Sequence, residues 1–494
     1  MRKVTIIAIA GILALASTLI AQQGAVQTAA GALGAARIKT LQFTASGRNF
    51  SVGQNFAPNE AWPPVSVKNY TASINYDTGS MRAELLREMG PVMPRGGGAP
   101  LPPEQRLIQV VSGNYAWNVP VPAANAPAGA APPAAAAPDA RLERMLAVWS
   151  TPQGFVKAAM MNNATTRNAR GGTQVSFTVE GKYKMTGTIN AQGQVEKVQT
   201  RIDHPIVGDM LVETTYTGYK DFGGVMFPAR IVQTQDGYPS LDLTISTVTA
   251  NPAVDITVPD NVRTFTPPPV RVESQKMGDG VYYLTGGTHH SLAVEMRDHI
   301  VVVDVPNNEA RATAVLAKAK ELIPNKPIRY LVTSHHHWDH LGGIRSAIDE
   351  GATIVTHQSN KAFLERVAKT PHTIVPDRLA ASKKSVKIQT VGNKGQLTDG
   401  TRTIELYLLT GYEHTGDMLV TYLPKEKILA EPDAFTPPPQ AGTPLIRTAV
   451  PYAKALYDNI QRLKLDVQVI APLHGNRTGD VAELGRAAGV SSSN

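Results

Sequence analysis

The sequence reads Ser334-His335-His336-His337-Trp338-Asp339-His340-Leu341-Gly342-Gly343 at the point that decides the fold of its C-terminal half. Four histidines and one aspartate fall within six residues, directly after the apolar run Ile328 to Thr333, which we predict to be a buried strand. In extended backbone His335 and His337 point the same way, while Asp339 and His340 follow on a turn. Imidazole nitrogens and carboxylate oxygens are ligands that zinc takes in proteins. We therefore predict two neighbouring metal sites, one using His335 and His337 and the other Asp339 and His340.

Three further potential ligands follow predicted strands elsewhere in the sequence. His414 comes after a strand around Ile404 to Leu408, Asp433 after Lys427 to Ala430, and His474 after Val467 to Ala471. Enzymes built on sheets gather their site residues at the carboxyl ends of strands. This recurrence favours a built metal centre over the plainer interpretation of a surface loop that binds metal adventitiously.

The C-terminal half is predicted to contain strands that alternate with helices. We expect strands at Val281 to Leu284, Leu292 to Met296 and Ile300 to Val305. An amphipathic helix then runs from Ala312 to Ile323 and ends before Pro324.

The pattern HxHxDH at His335 to His340, followed by His414, Asp433 and His474, resembles the metallo-β-lactamase superfamily. The resemblance covers roughly residues 275 to 490 and implies an αββα sandwich with metals at one edge of its two sheets. It implies a first metal held by His335, His337 and His414, a second held by Asp339, His340 and His474, and Asp433 as the bridge. Asp304 also matches a family position, where an acidic residue supports the site.

Two departures from the family pattern leave roles open. His414 is followed by Thr415-Gly416-Asp417, so Asp417 is a further candidate, and Asp433 follows a proline, so it either bridges or only supports. His336 faces away from its neighbours and is expected to hydrogen-bond behind the ligands or to face solvent. Trp338 is expected to pack against its tight loop rather than line a substrate opening. Four other residues are as readily structural as functional: Tyr412, Glu413, His289 and His290.

The chemistry that this ligand set implies is hydrolysis. Two ions, zinc first and iron or manganese as alternatives, share a hydroxide, and Asp339 is the predicted catalytic residue. The leading substrate class is a small ester, lactone, thioester or amide. An aspartate at the bridging position resembles the non-lactamase branches of the superfamily. A periplasmic β-lactamase is the first alternative, and a non-catalytic binding protein that uses the N-terminal half is the second.

In the N-terminal half, apolar and polar residues alternate with a period of two, which predicts antiparallel strands. The alternation is clear at Leu41 and Phe43 and again at Leu241, Leu243 and Ile245. We expect a β-rich domain over 30–265 with an Ala/Pro-rich insert near 120–138, a Pro-rich boundary, and the hydrolase domain over 270–490, which together make an α+β protein. The β-rich half resembles the half-barrel of periplasmic lipoprotein carriers. That resemblance implies a concave face for an acyl or lipid-like ligand; a purely supporting domain is the equal alternative.

Composition limits the remaining choices. The chain of 494 residues is 42% apolar and 18% charged, which is typical of a globular protein. It has no cysteine, so disulfides and thiolate ligands are excluded. The net charge of +8 is scattered rather than striped, so no nucleic-acid partner is expected.

The N-terminus has the form of an export signal. Residues 1–21 combine Arg2 and Lys3 with an apolar run and small residues, which predicts a cleaved secretory signal and a periplasmic or secreted protein. An uncleaved anchor is the alternative, and no stable membrane span is expected after cleavage. The sequence leaves the oligomeric state open.

Overall fold

The computed structural model describes residues 24–89, 95–98, 102, 104–122 and 132–490. The signal predicted for residues 1–21 lies outside this part of the chain, as do residues 123–131 of the insert predicted near 120–138. The described chain is mixed α+β, as expected, with one antiparallel sheet followed by a sandwich of two smaller sheets. No helix within the described ranges is both long and apolar enough to cross a membrane.

The N-terminal part is built on one antiparallel sheet of thirteen described strands. They are, in chain order, Thr40–Phe50, Pro64–Asn75, Ser80–Glu88, Glu104–Ser112, Tyr115–Asn118, Ala135–Ala136, Thr165–Ala169, Gly172–Val179, Tyr183–Ile189, Val195–His204, Gly208–Thr217, Arg230–Gln235 and Tyr238–Ala250. Two meanders become one sheet because the first of these strands pairs with the last. A two-stranded ribbon, Lys220–Asp221 with Met226–Phe227, lies beside it.

Two helices, Arg141–Ser150 and Pro152–Met161, connect the meanders and pack on one face of the sheet. Phe155 contacts Phe177 at 5.1 Å between ring centroids. The helix can approach this closely because Gly187 has no side chain: a Cβ there would lie 2.4 Å from the Phe155 ring. Alternate residues of the strands face this core, as the buried positions Leu41, Phe43 and Ala45 show.

The C-terminal part contains two sheets. Seven described strands form the first: Glu273–Gly278, Val281–Thr285, Ser291–Glu295, Ile300–Val303, Ile328–Val332, Thr353–His357 and Lys387–Val391. Five form the second: Lys394–Thr398, Thr403–Leu408, Leu419–Leu423, Ile428–Glu431 and Val469–Pro472. Strands that lie side by side at Ile300–Val303, Ile328–Val332 and Thr353–His357 are parallel, so their carboxyl ends meet at one edge.

An apolar layer that includes Val301, Val303, Leu406 and Leu419 fills the space between the two sheets. Helices cover the outer faces: Glu309–Leu322, Ile344–Glu350, Lys361–Val367 and Arg378–Ser382 accompany the first sheet, and Val450–Leu463 and Val481–Ala487 the second. Shorter helices are Asp260–Arg263 and Trp338–Leu341. This is the αββα sandwich that the sequence predicts.

The helix predicted from Ala312 to Ile323 spans Glu309–Leu322, and two strands also differ from the sequence prediction. The strand expected over Ile300 to Val305 ends at Val303, because Asp304 adopts a left-handed backbone with φ of 55°. The strand Glu273–Gly278 was not expected. Its residues are mostly exposed and polar, so it shows no apolar alternation that would indicate a strand.

The two parts share one buried cluster, which contains residues of the N-terminal sheet and of the helices on the first C-terminal sheet. The Asp209 carboxylate accepts hydrogen bonds from the backbone N–H groups of Thr373 and Ile374 at 2.9 and 3.0 Å. Trp338 packs against Trp62 and His204, at 5.3 and 4.3 Å between ring centroids. The segment that carries the histidines is therefore packed directly on the N-terminal part.

His204 makes the stability of this junction depend on pH. Burial, together with the nearby His372, lowers its pKa from 6.5 to about 4. Because the unfolded chain takes up the proton first, stability is full above pH 6.5 and falls between pH 6.5 and about 4. His204→Asn keeps an acceptor for the N–H of Ile206 and removes this titration.

We predict that wild type loses up to about 3 kcal/mol more than His204→Asn across that pH interval. Urea unfolding at a series of pH values measures the difference. Parallel curves for the two proteins would contradict the prediction.

Candidate metal centre

The local backbone explains how the histidine-rich segment presents its side chains. The strand Ile328–Val332 delivers the chain into it, and Trp338–Leu341 forms one short helical turn. His335 and His337 precede the turn and have their rings 4.5 Å apart, whereas Asp339 and His340 lie on it. As expected, His335 and His337 lie before the helical turn, with His337 in extended backbone, and Asp339 and His340 lie on the turn.

The described chain contains three groups of His and Asp residues that could hold a metal ion. Within each group, the donor atoms all lie within 4.8 Å of one another. They are His335, His337 and His414; His335, His340 and Asp433; and His289, Asp339, His340 and His474. All seven ligands predicted from the sequence belong to these groups. The structure adds His289, which sequence reasoning left aside.

Asp433 lies between the groups. Its Oδ2 is 3.3 Å from His335 Nε2, 3.2 Å from His340 Nε2 and 3.4 Å from His414 Nε2, and its Oδ1 is 3.0 Å from His474 Nε2. This carboxylate therefore faces ring nitrogens of both predicted sites.

The turn that carries Asp433 is fixed by a buried acid. The Glu431 carboxylate accepts hydrogen bonds from the N–H groups of Ala434 and Phe435 at 2.7 and 3.2 Å. Burial raises the pKa of Glu431 to about 8.

The chemistry of the donors fits a metal centre. Among the described residues, His335 Nε2, His337 Nδ1, His414 Nε2 and Asp433 Oδ2 are buried and have no hydrogen-bond partner. A buried polar atom without a partner is costly, and metal coordination is one way to satisfy it. Four such atoms around one point indicate a cation site made of nitrogen and oxygen ligands.

Asp304 prepares His340 for such a role. Its carboxylate accepts hydrogen bonds from Ser334 N at 2.8 Å and Ser334 Oγ at 2.6 Å, and it lies 2.9 Å from His340 Nδ1. The imidazole thus donates through Nδ1 and leaves Nε2 directed at Asp433. Asp304 supports the site from behind, as its family position implies.

His336 and Asp417 form a separate pair behind the donor groups. His336 Nδ1 lies 2.8 Å from Asp417 Oδ1, and Asn360 Nδ2 donates to Asp417 Oδ2 at 2.6 Å. Neither residue belongs to a donor group. Asp417, which the sequence left as a further candidate, therefore contacts His336 and Asn360 instead.

The electrostatics favour positive charge at the centre. Burial lowers the pKa of His335 and His337 well below the usual range, and neighbouring imidazoles lower it further, so both are neutral at pH 7. Burial opposes the ionised form of Asp433 too, but His340, His474 and His414 hold its pKa well below the usual range. Neutral His335 and His337 beside an ionised Asp433 are in the protonation states that metal binding requires. Burial opposes the charged form of His340, but Asp433 and Asp304 raise its pKa well above the usual range, so His340 must release a proton to bind a metal.

The N-terminal part also reaches the centre. Gln54 Nε2 donates to Asp339 Oδ1 at 2.9 Å, and His337 Nε2 lies 2.8 Å from the Asn55 carbonyl oxygen. No signal in the sequence indicates these contacts, because they join positions that lie more than 280 residues apart. His289 Nε2 lies 3.2 Å from the other oxygen of Asp339.

Tyr412, His290 and Glu413 lie outside the donor groups. The buried rings of Tyr412 and Tyr452 pack 5.6 and 5.7 Å from the His414 ring. His290 Nε2 bonds the Gly475 carbonyl oxygen at 2.6 Å and so braces the turn after His474. The side chain of Glu413 is exposed.

The C-terminal part is thus an αββα sandwich with His and Asp donor groups at one sheet edge. Residues 284–474 match the family model described as metallo-beta-lactamase superfamily. The C-terminal domain of this chain is therefore a metallo-β-lactamase superfamily domain.

Solved structures of metallo-beta-lactamases are similar to part of the chain. A metallo-beta-lactamase from Pontibacter korlensis is 21% identical, covering 45% of this chain and all of its own, with a TM-score of 0.35. One from Hirschia baltica is 24% identical, covering 44% of this chain and 97% of its own, with a TM-score of 0.32. The DIM-1 metallo-beta-lactamase is 22% identical, covering 44% and 96%, with a TM-score of 0.33. A search among curated proteins finds no match.

Zinc should stabilise the folded protein if the donor groups bind it. Zinc at 100 times its Kd adds about 2.7 kcal/mol, which corresponds to a rise in Tm of roughly 5–10 °C. Asp433→Asn keeps the shape of the side chain but removes the charge between the donor groups, so we predict that it loses most of the rise. Calorimetry of chelator-treated protein with and without zinc measures both. An unchanged Tm in the wild type would contradict the prediction.

Proposed function

We propose that this protein is an exported hydrolase that uses two metal ions, zinc first among the candidates, on a small ester, lactone, thioester or amide. The observation that carries the proposal is the position of Asp433, whose two oxygens face His335, His340, His414 and His474. A carboxylate placed in this way is suited to bridge two ions. His335, His337 and His414 would hold one ion, and Asp339, His340 and His474 the other.

Two divalent ions held there would lower the pKa of a water molecule to near neutrality and polarise the scissile carbonyl of the substrate. In hydrolysis the water oxygen adds to the acyl carbon, the bond to the leaving group breaks, and a proton passes to that group. No side-chain nucleophile is needed, which suits a chain without cysteine.

Asp339 is the side chain best placed to manage the proton. Burial opposes its ionised form, but the hydrogen bond with His289 and the charge of His340 hold its pKa well below the usual range. Gln54 and His289 engage its two oxygens and fix the plane of the carboxylate. Asp339 would therefore orient the attacking water and pass a proton to the leaving group.

The accessibility of the ligands indicates the side from which the substrate enters. The His335 side chain is fully buried, whereas those of His474 and Asp339 are 22% and 34% exposed. The first ion would therefore lie deep and the second would face the opening.

The choice among substrates rests on the family resemblance and on residue type. An aspartate at position 433 resembles the branches that are not lactamases, and this favours an ester, lactone, thioester or amide over a β-lactam. Zinc is favoured because imidazole nitrogens make up most of the ligand set. Export rests on the form of residues 1–21 alone.

Metal content and activity, measured on the same preparations, test this proposal. We predict about two metal ions per chain by mass spectrometry in the wild type, and loss of both ions and activity in the double variant His337→Ala, Asp339→Ala. The substrate panel contains an ester, a thioester, a lactone, an amide, a phosphodiester and a β-lactam. His299→Gln is the matched control, because His299 lies outside the donor groups and contacts Asp298.

The substrates that are hydrolysed distinguish the proposed hydrolase from a β-lactamase and from a binding protein. Activity on an acyl substrate but not on the β-lactam supports the proposal, whereas turnover of the β-lactam alone assigns the protein to the lactamases. A wild type without stoichiometric metal overturns the binuclear centre and favours a binding protein.

A further inference from the structure

The segment Gly53–Phe56 of the N-terminal part lies against the ligands of the C-terminal domain; we call it the bracing segment. It follows the first strand of the N-terminal sheet, and its Gln54 and Asn55 contact Asp339 and His337, which lie 285 and 282 residues later in the chain. Gly53 O accepts from Trp338 N at 3.4 Å, and Phe56 O accepts from Gly416 N at 3.0 Å.

Two of these contacts reach predicted ligands directly. The Gln54 amide donates to Asp339 Oδ1 at 2.9 Å, and His337 Nε2 donates to the Asn55 carbonyl oxygen at 2.8 Å. The second contact fixes the tautomer of His337, because a proton on Nε2 leaves Nδ1 as the lone-pair nitrogen. His337 Nδ1 is one of the buried atoms without a partner in the described chain.

The segment is held in this position by its own bonds. Asn55 is 4% exposed, and its side-chain amide donates to the carbonyl oxygens of Ala57 and Glu60 at 2.5 and 3.2 Å. Gly97 N donates to Gln54 O at 2.7 Å from the opposite side. Gly53 has a left-handed φ of 75°, and a Cβ there would lie 2.5 Å from the Trp338 ring, so only glycine allows this approach.

We propose that the metal centre is a composite of both parts of the chain, in which Gln54 and the Asn55 carbonyl are positioning groups for Asp339 and His337. This inference rests on the proposed function. Gln54 holds Asp339 Oδ1, so that Oδ2 faces His289 Nε2 at 3.2 Å and His474 Nε2 at 4.0 Å, and the Asn55 carbonyl leaves His337 Nδ1 free to bind metal. Partners of this kind orient a ligand, and their loss typically weakens metal affinity about 10–100-fold.

The test of Gln54 replaces its amide without changing its length. In Gln54→Met the side chain keeps its reach but cannot donate a hydrogen bond to Asp339. Asn59→Met makes a similar change at an exposed amide of the same loop and is the matched control. Cobalt is titrated into each full-length protein after chelator treatment, with affinity read by calorimetry and ligand geometry by the visible spectrum.

We expect Gln54→Met to bind one of two cobalt ions about 10–100-fold more weakly with an altered spectrum, and Asn59→Met to match the wild type. Unchanged affinity and spectrum in Gln54→Met, with two ions bound in the wild type, overturn the role of Gln54 and leave the proposed function standing. A wild type that binds no cobalt overturns the metal centre and this inference together.

The role of Asn55 is tested without metal. Nitrogen-15 NMR of histidine-labelled, metal-free protein reports which ring nitrogen carries the proton, and His337→Gln identifies the His337 signals by difference. We expect the proton on Nε2. A proton on Nδ1 would overturn the contribution of the Asn55 carbonyl.

Discussion

The fold around the sheet edge is organised by one constraint: several imidazole nitrogens and one carboxylate are buried at a single point. Desolvation makes such atoms costly unless each finds a partner. Asp304 supplies one for His340, and Asp417 supplies one for His336. The buried atoms without a partner in the described chain include His335 Nε2, His337 Nδ1, His414 Nε2 and Asp433 Oδ2, and a cation between them would satisfy all four at once.

The same constraint explains features that lie away from the centre. Asp304 accepts a left-handed backbone and ends its strand early, which places its carboxylate beneath Ser334 and His340. Glu431 is buried with a raised pKa and holds the turn that presents Asp433. Trp338 packs on the N-terminal part and anchors the short helix that carries Asp339 and His340. The sheet edge thus depends on supports from several elements, including the N-terminal sheet.

Much of this arrangement could be predicted from the sequence, because local spacing encodes it. The HxHxDH pattern follows a strand, and His414, Asp433 and His474 also follow strands, so parallel and neighbouring strands bring them to one edge. The αββα sandwich and the β-rich N-terminal half follow from the same reasoning. Gln54, Asn55 and His289 could not be predicted, since their contacts depend on how distant segments pack. Glu273–Gly278 was missed because an exposed polar edge strand lacks the apolar alternation that identifies buried ones.

Diffraction at the zinc absorption edge, from crystals of the zinc-loaded protein, tests the central claim most directly. The account predicts two anomalous peaks about 3.5–4 Å apart on either side of the Asp433 carboxylate. One peak would lie beside His335, His337 and His414, and the other beside Asp339, His340 and His474. Absence of any peak at these residues, or a single peak coordinated by other groups, would contradict a binuclear centre at this edge.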